Sequence, residues 1–201
     1  MRSLSAAFFS WVQGARFYID THAEAVALVP SGEGKTWLDV GCGPGLVARL
    51  ASRRGYRATG IDRSPKMIER AIRLARGESS CRFEIADLEG LASKYSADVV
   101  SAASLLFVVQ EPEAALVQLW SCVRPGGNLL VVETTEKMAP RAALQTMTHI
   151  RPGRRLALLL WARARNGRSV APSVYDRLAP ASGSRTPLLD GLVSAWVFKK
   201  T

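Results

Sequence analysis

Trp37-Leu38-Asp39-Val40-Gly41-Cys42-Gly43-Pro44-Gly45 decides the fold of this 201-residue chain. The first four residues read as a buried parallel strand, three glycines then fall at alternate positions, and Leu46 to Ala51 follows with helical character. Strand, glycine turn and helix in that order open a nucleotide-binding α/β domain. Glycines accept φ > 0 and let a ligand lie against bare backbone, while the helix N-terminus beyond them presents unpaired N–H groups. The spacing excludes a dinucleotide fingerprint. G-x-G-x-x-G needs its third glycine where Leu46 stands, and here it comes one residue early, at Gly45.

Two further strand ends carry acids. Tyr56 to Asp62 reads as a second strand closing on Asp62, seventeen residues beyond Gly45. A carboxylate there can accept from both hydroxyls of a ribose. Ser64 with Pro65 at the first helical position reads as the cap of the next helix, which leaves Asp62 free for a ligand. Cys81 to Leu88 reads as a third strand ending in Asp87. In a parallel sheet all three ends face one carboxyl edge, where such folds bind ligands.

The order Asp39-x-Gly41-x-Gly43-x-Gly45 resembles motif I of the class I S-adenosylmethionine-dependent methyltransferases, and the acids at Asp62 and Asp87 fit the same pattern. The resemblance runs from about Leu38 to the C-terminus, with little specificity between Glu133 and Arg185. It implies a Rossmann-like, doubly wound, mostly parallel seven-stranded sheet with an antiparallel last strand and helices on both faces. It implies S-adenosylmethionine as cofactor, held by Asp39, Gly41, Cys42, Gly43, Gly45, Asp62, Arg63, Met67, Asp87, Leu88 and Ala102. Of these, Met67 packs on the adenine, Asp87 meets its amino group and the Leu88 N–H meets a ring nitrogen. Tyr18 and Arg16, on an N-terminal helix, reach toward the methionine end. At strand four, Ala97 to Ser104, Ser101-Ala102-Ala103-Ser104 replaces the Asn/Asp-Pro-Pro-aromatic motif of many nucleic-acid amino methyltransferases. Leu105 to Pro112 looks like the small-molecule branch (methyltransferase type 11-like), without the histidines frequent there. Val123-Arg124-Pro125-Gly126-Gly127 resembles the turn before strand five.

The rest of the chain is read around this centre. Residues 4–29 predict one or two helices, within an N-terminal helical cap over 1–36 of a single domain. Arg2 and the apolar Leu4 to Phe9 are followed by no small-residue cleavage site, so a helix is read there and no signal peptide. Gly34-Lys35-Thr36 mimics the end of a P-loop, but it precedes a strand and Val29 stands where the first glycine belongs. Residues 137–182 are read as a substrate-side insertion: a helix from Met138 to Ile150, a break at Pro152-Gly153, and a basic apolar helix from Arg154 to Arg165. Arg151 to Arg168 carries six arginines and no acid; it is expected to shape acceptor access with Trp161 lining the pocket, and a structural helix or a membrane-contacting one are the alternatives. Arg185 to Leu189 and Leu192 to Phe198 predict a hairpin with a type I′ turn at Asp190-Gly191.

Composition sets limits. Three scattered cysteines suit a reducing cytoplasm, and no Cys/His spacing suggests a metal. The longest clean apolar run, Leu156 to Ala162, is too short to span a bilayer. The net charge is +10, and the chain from Arg151 onward holds ten Lys/Arg against two acids. The function that the resemblance implies is methyl transfer to a small molecule. Candidates for a base are His22, His149, Glu133 and Glu136. Three other readings stay open: an RNA methyltransferase using the basic last quarter, a cofactor-binding domain without turnover, and an enzyme in peripheral contact with a membrane.

Overall fold

The computed structural model describes residues 11–150, 152–178 and 182–201. Seven strands form one sheet: β1 Thr36–Val40, β2 Arg57–Asp62, β3 Cys81–Ile85, β4 Ala97–Ala103, β5 Val123–Thr134, β6 Ser182–Leu188 and β7 Val193–Lys199. The helices are α1 Arg16–Ala27, α2 Leu46–Arg53, α3 Pro65–Leu74, α4 Leu91–Lys94, α5 Pro112–Ser121, α6 Pro140–Thr146 and α7 Pro152–Arg165. Short 3₁₀ turns cover Met147–His149, Pro172–Leu178 and Leu189–Gly191.

The strand order is β3-β2-β1-β4-β5-β7-β6. β1 to β5 pair in parallel, and β7 runs antiparallel to both neighbours, β5 and β6. This is the expected doubly wound sheet with one reversed strand at the end of the chain. The order reverses at β1/β4, which places the crevice of the sheet beside the glycine turn.

Alternation along the strands builds two cores. Trp37 of β1 and Leu130 and Val132 of β5 face one layer, with α1, α2, α6 and α7. Leu38, Val40, Leu129 and Val131 face the other, with α5 and the Pro172–Leu178 turn. Residues 137–182 therefore pack on both faces of the sheet. On α7, Ala157, Leu158, Trp161, Ala162 and Arg165 are buried, while Arg155, Leu156, Leu160 and Arg163 lie on its outer side. The leucine run is thus divided between core and surface. Among the described residues no helix is long and apolar enough to cross a membrane.

Local chemistry corrects several expectations. β3 ends at Ile85, not at Leu88, because residues 86–88 leave the ladder to enter the cleft. The hairpin turn is longer than type I′. Leu188 pairs with Val193, and Leu189, Asp190 and Gly191 take φ of 47°, 54° and 81° in succession. The Thr135 hydroxyl holds that loop by donating to the Gly191 carbonyl at 2.6 Å. Of the helix expected within residues 4–29, Arg16–Ala27 is observed, and residues 4–10 lie outside the described part.

Gly45 has a packing reason for being glycine. Its φ is 76°, and a Cβ there would run into the Phe83 ring, which also fills the space over Gly60. Gly34 has a similar φ of 83° with nothing within 4 Å of an added Cβ. Gly45→Ala should therefore lose about 1–2 kcal/mol to the backbone and a further amount of about 1–3 kcal/mol to overpacking. Gly34→Ala should lose the first part alone. Urea denaturation of the two variants checks this, and equal losses would count against the Phe83 contact.

Candidate functional site

A cleft of about 650 Å³ opens at the carboxyl ends of β1, β2 and β4. Its floor is the glycine turn. Gly41 and Gly43 present bare backbone at φ of 68° and 52°, and a Cβ on Gly41 would meet the Leu105 side chain at 2.8 Å. Asp62 stands across from them. Its Oδ2 accepts the Gly43 N–H at 2.9 Å and its Oδ1 the Ser64 N–H at 2.8 Å. Each oxygen thus keeps lone-pair capacity for one more donor. Arg63, Ser64, Met67, Ala86, Asp87 and Leu88 continue this half of the lining. The other half comes from the segment after β4, Ala103 to Leu105 and Phe107 to Gln110, together with Gln13.

Of the residues expected at the cofactor, Gly41, Gly43, Asp62, Arg63, Met67, Asp87 and Leu88 line this cleft. Two of them are engaged differently from the expectation. Asp62 is not free of the helix: it takes the Ser64 N–H, while the Ser64 side chain makes no capping bond. The Leu88 N–H, expected to face a ring nitrogen, donates to the Asp87 Oδ1 at 2.7 Å.

Asp39, Cys42, Gly45, Ala102 and Tyr18 lie behind the lining. Asp39 is 1% exposed and accepts from the Ser101 hydroxyl at 2.7 Å, and the Trp37 indole N–H donates to that same hydroxyl. Burial pushes the Asp39 carboxyl up to about 7, against the Ser101 hydroxyl and the Ala48 N–H that favour its charge. Ala48 belongs to the first turn of α2, whose N-cap residue Gly45 has no side chain. Asp39 therefore sits beneath the first turn of α2, held by the Ser101 hydroxyl. The buried Cys42 thiol lies over Gly60, and burial pushes its pKa far up. The Ala102 side chain turns into the α5 core, while Ala103 and Ser104, past the pleat, reach the cleft.

Tyr18 is buried behind the rim, with Gln13 and Ser104, which both line the cleft, beside its side chain. Arg16 points away, exposed, in an ion pair with Asp20 at 3.4 Å.

None of the described candidate bases, His22, Glu133 and Glu136, lines the cleft. His22 is 2% exposed, stacks on Tyr18 with ring centroids 4.1 Å apart and bonds the Tyr18 carbonyl through Nδ1 at 2.8 Å. Burial lowers its pKa to about 4, which keeps it neutral. His149 ends a 3₁₀ turn, and its side chain lies outside the described part. Glu136 is exposed. Glu133 is 4% exposed behind the segment after β4, and burial raises its carboxyl to about 7. No described residue of 151–168 lines the cleft either, so Trp161 is corrected from pocket wall to core.

The sequence reading missed Gln13, Phe107, Val108, Val109 and Gln110 as lining residues. Their signal was position alone: they follow or face a strand end, and only the fold brings Gln13 there.

Known proteins place this geometry. Residues 38–131 match a family model described as a methyltransferase domain. A ubiquinone biosynthesis O-methyltransferase of Xanthomonas campestris pv. campestris is 35% identical over 117 residues, covering 56% of this chain and 47% of that protein. A trans-aconitate 2-methyltransferase of Enterobacter sp. is 36% identical over 111 residues, 54% of this chain and 43% of that protein. The chain spans about half the length of the curated relatives it matches. The crystal structure of magnesium protoporphyrin IX methyltransferase from Synechocystis PCC 6803 with bound SAH superposes with a TM-score of 0.71 at 16% identity, over 99% of this chain and 95% of that one. The strand order, the Gly41/Gly43/Gly45 turn and the acids after β2 and β3 agree with these likenesses: residues 38–131 are similar to a methyltransferase domain, and the chain shares the fold of the solved methyltransferase.

Proposed function

We propose that this chain binds S-adenosylmethionine in the cleft and transfers its methyl group to a small-molecule acceptor. The observation that carries this is Asp62, fixed by the Gly43 and Ser64 N–H groups with lone pairs left for two hydroxyl donors. A nucleoside fits such an arrangement: its ribose on Asp62, its base between Met67 and the Asp87–Leu88 corner, its polar tail along Gly41 and Gly43. The cleft is within the usual size of small-molecule sites, roughly 300–1,000 Å³. When bound, the cofactor supplies a methyl group made electrophilic by its sulfonium.

The protein's own part is alignment. Proximity and orientation can contribute about 7–11 kcal/mol to lowering a barrier. Among the described residues, the wall from Ser104 to Gln110 offers the cleft no titratable side chain. That favours an acceptor whose nucleophile needs no protein base. The two named relatives support a small molecule as acceptor, while the basic last quarter gains no support as an RNA surface. The three free thiols, two of them buried, favour placing the activity in the cytoplasm.

Calorimetry with S-adenosylmethionine, SAH and NAD tests the first step. The first two should bind and NAD should not, and NAD binding alone would overturn the reading. Methyl-labelled cofactor with a panel of small hydroxyl, amine and carboxylate acceptors tests the second. Binding with no transfer to any acceptor would leave a cofactor-binding domain without turnover.

A further inference from the structure

Two residues far apart in the chain meet behind the wall that follows β4. Glu133, near the end of β5, is buried. Its Oε1 accepts the Leu106 N–H at 2.7 Å, and the backbone N–H groups of Leu105 and Phe107 on either side also favour its charged form. Arg165, the last residue of α7, is 2% exposed, and its guanidinium carbon lies 3.4 Å from the centroid of the Phe107 ring. Flat contact of this kind suits arginine and not lysine. The Glu133 carboxylate attracts Arg165 electrostatically. Ser104 sits at φ 57°, a conformation rare for a residue with a side chain, and its N–H is tied to the Val132 carbonyl at 2.8 Å. Leu105 and Phe107 form part of the cleft lining while Leu106 is buried beneath them. The segment is therefore gripped from below through its backbone and from the side through one ring.

A buried carboxylate bonded to the backbone of the wall does not need to be near the reacting atoms to matter. It sets the path of the chain that carries Leu105 and Phe107 into the cleft. A guanidinium on Phe107 then fixes the ring plane. We propose that Glu133 and Arg165 are positioning residues for the acceptor-side wall, holding the Ser104–Phe107 segment in the shape that receives the acceptor. The name of that wall rests on the methyl-transfer reading. Through Arg165, residues 137–182 act on acceptor selection without lining the cleft.

Hydrogen exchange on the intact chain, with SAH as the probe of the cofactor half, tests this. In Glu133→Gln and Arg165→Met, amides 104–107 should exchange faster by about tenfold or more, while the rest of β4 and β5 keeps its protection. Arg165→Lys keeps the charge and protects the fold, but loses the flat contact, and should show the same local rise. Adding Arg165→Met to Phe107→Leu should change these amides by less than about twofold, because the partner ring is already gone. SAH affinity should stay within about threefold of wild type, since Gly43 and Asp62 are untouched. Unchanged exchange at 104–107, or loss of protection throughout the sheet, would overturn the proposal. So would SAH affinity falling in parallel with the local exchange. A wild type that fails to bind SAH would sink the methyl-transfer reading, and the exchange result would still report on the grip itself.

Discussion

Asp62→Ala should lower affinity for S-adenosylmethionine by about 10²-fold or more. Hydrogen bonds to a charged acceptor are worth about 1.5–3 kcal/mol each, and each 1.4 kcal/mol is about tenfold in affinity. Two such bonds to ribose hydroxyls account for the loss. The structure adds a second route to the same effect. Asp62 also holds the Gly43 and Ser64 N–H groups, so its removal loosens the glycine turn on which the ligand would lie. Asp62→Asn separates the two routes, because the amide keeps one acceptor oxygen and loses the charge. Calorimetry beside thermal unfolding checks both variants. An unchanged dissociation constant in Asp62→Ala would leave Asp62 as a brace for the turn alone. Asp87→Ala should cost much less, because it also releases the Leu88 N–H that Asp87 now occupies.

Trp161→Ala should destabilise the fold by about 3–5 kcal/mol, the range for deleting a large buried ring. Trp161 is 2% exposed and packs against Phe17 and Tyr18, with centroids at 6.1 and 5.3 Å. It joins α7 to α1, and Arg165 stands one turn further along α7. Chemical denaturation should therefore show a large drop in midpoint with the slope unchanged. A loss under about 1 kcal/mol would mean that the α1–α7 contact contributes little, as surface substitutions do. For the same reason, Trp161→Ala cannot serve as a probe of acceptor access, whereas Arg165→Lys can.

The parts of the site legible in the sequence were those whose reason is local. An apolar strand, alternate glycines and an acid at the next strand end occupy neighbouring positions, and Gly41, Gly43, Asp62 and Asp87 all reached the cleft. Asp39 was misplaced because its partners, Ser101 and Ala48, come from another strand and a helix. Ala102 was misplaced by the pleat, which turns that side chain into the core and leaves Ala103 and Ser104 at the edge. Ser64 looked sufficient as a cap because Ser-Pro has that signature, yet the Asp62 carboxylate does the bonding. Residues 137–182 resisted reading for a different cause. Their apolar run is continuous, and only the packed structure divides it into Leu158 and Trp161 within the core and Leu156 and Leu160 outside it.

The two halves of the cleft also differ in how much chain must be gathered to make them. The bonds of the cofactor half close short loops, from Asp62 to Ser64 two residues on and from Asp62 back to Gly43 across nineteen. The grip on Ser104–Phe107 draws on β5 and the far end of α7. Closing a loop costs more conformational entropy as it lengthens, and distant contacts are rewarded only after that cost is met. The nucleoside seat is therefore favoured to assemble early in folding, while the chain's last third is still unplaced. The wall beside the acceptor is completed later, when the end of α7 has come up against it.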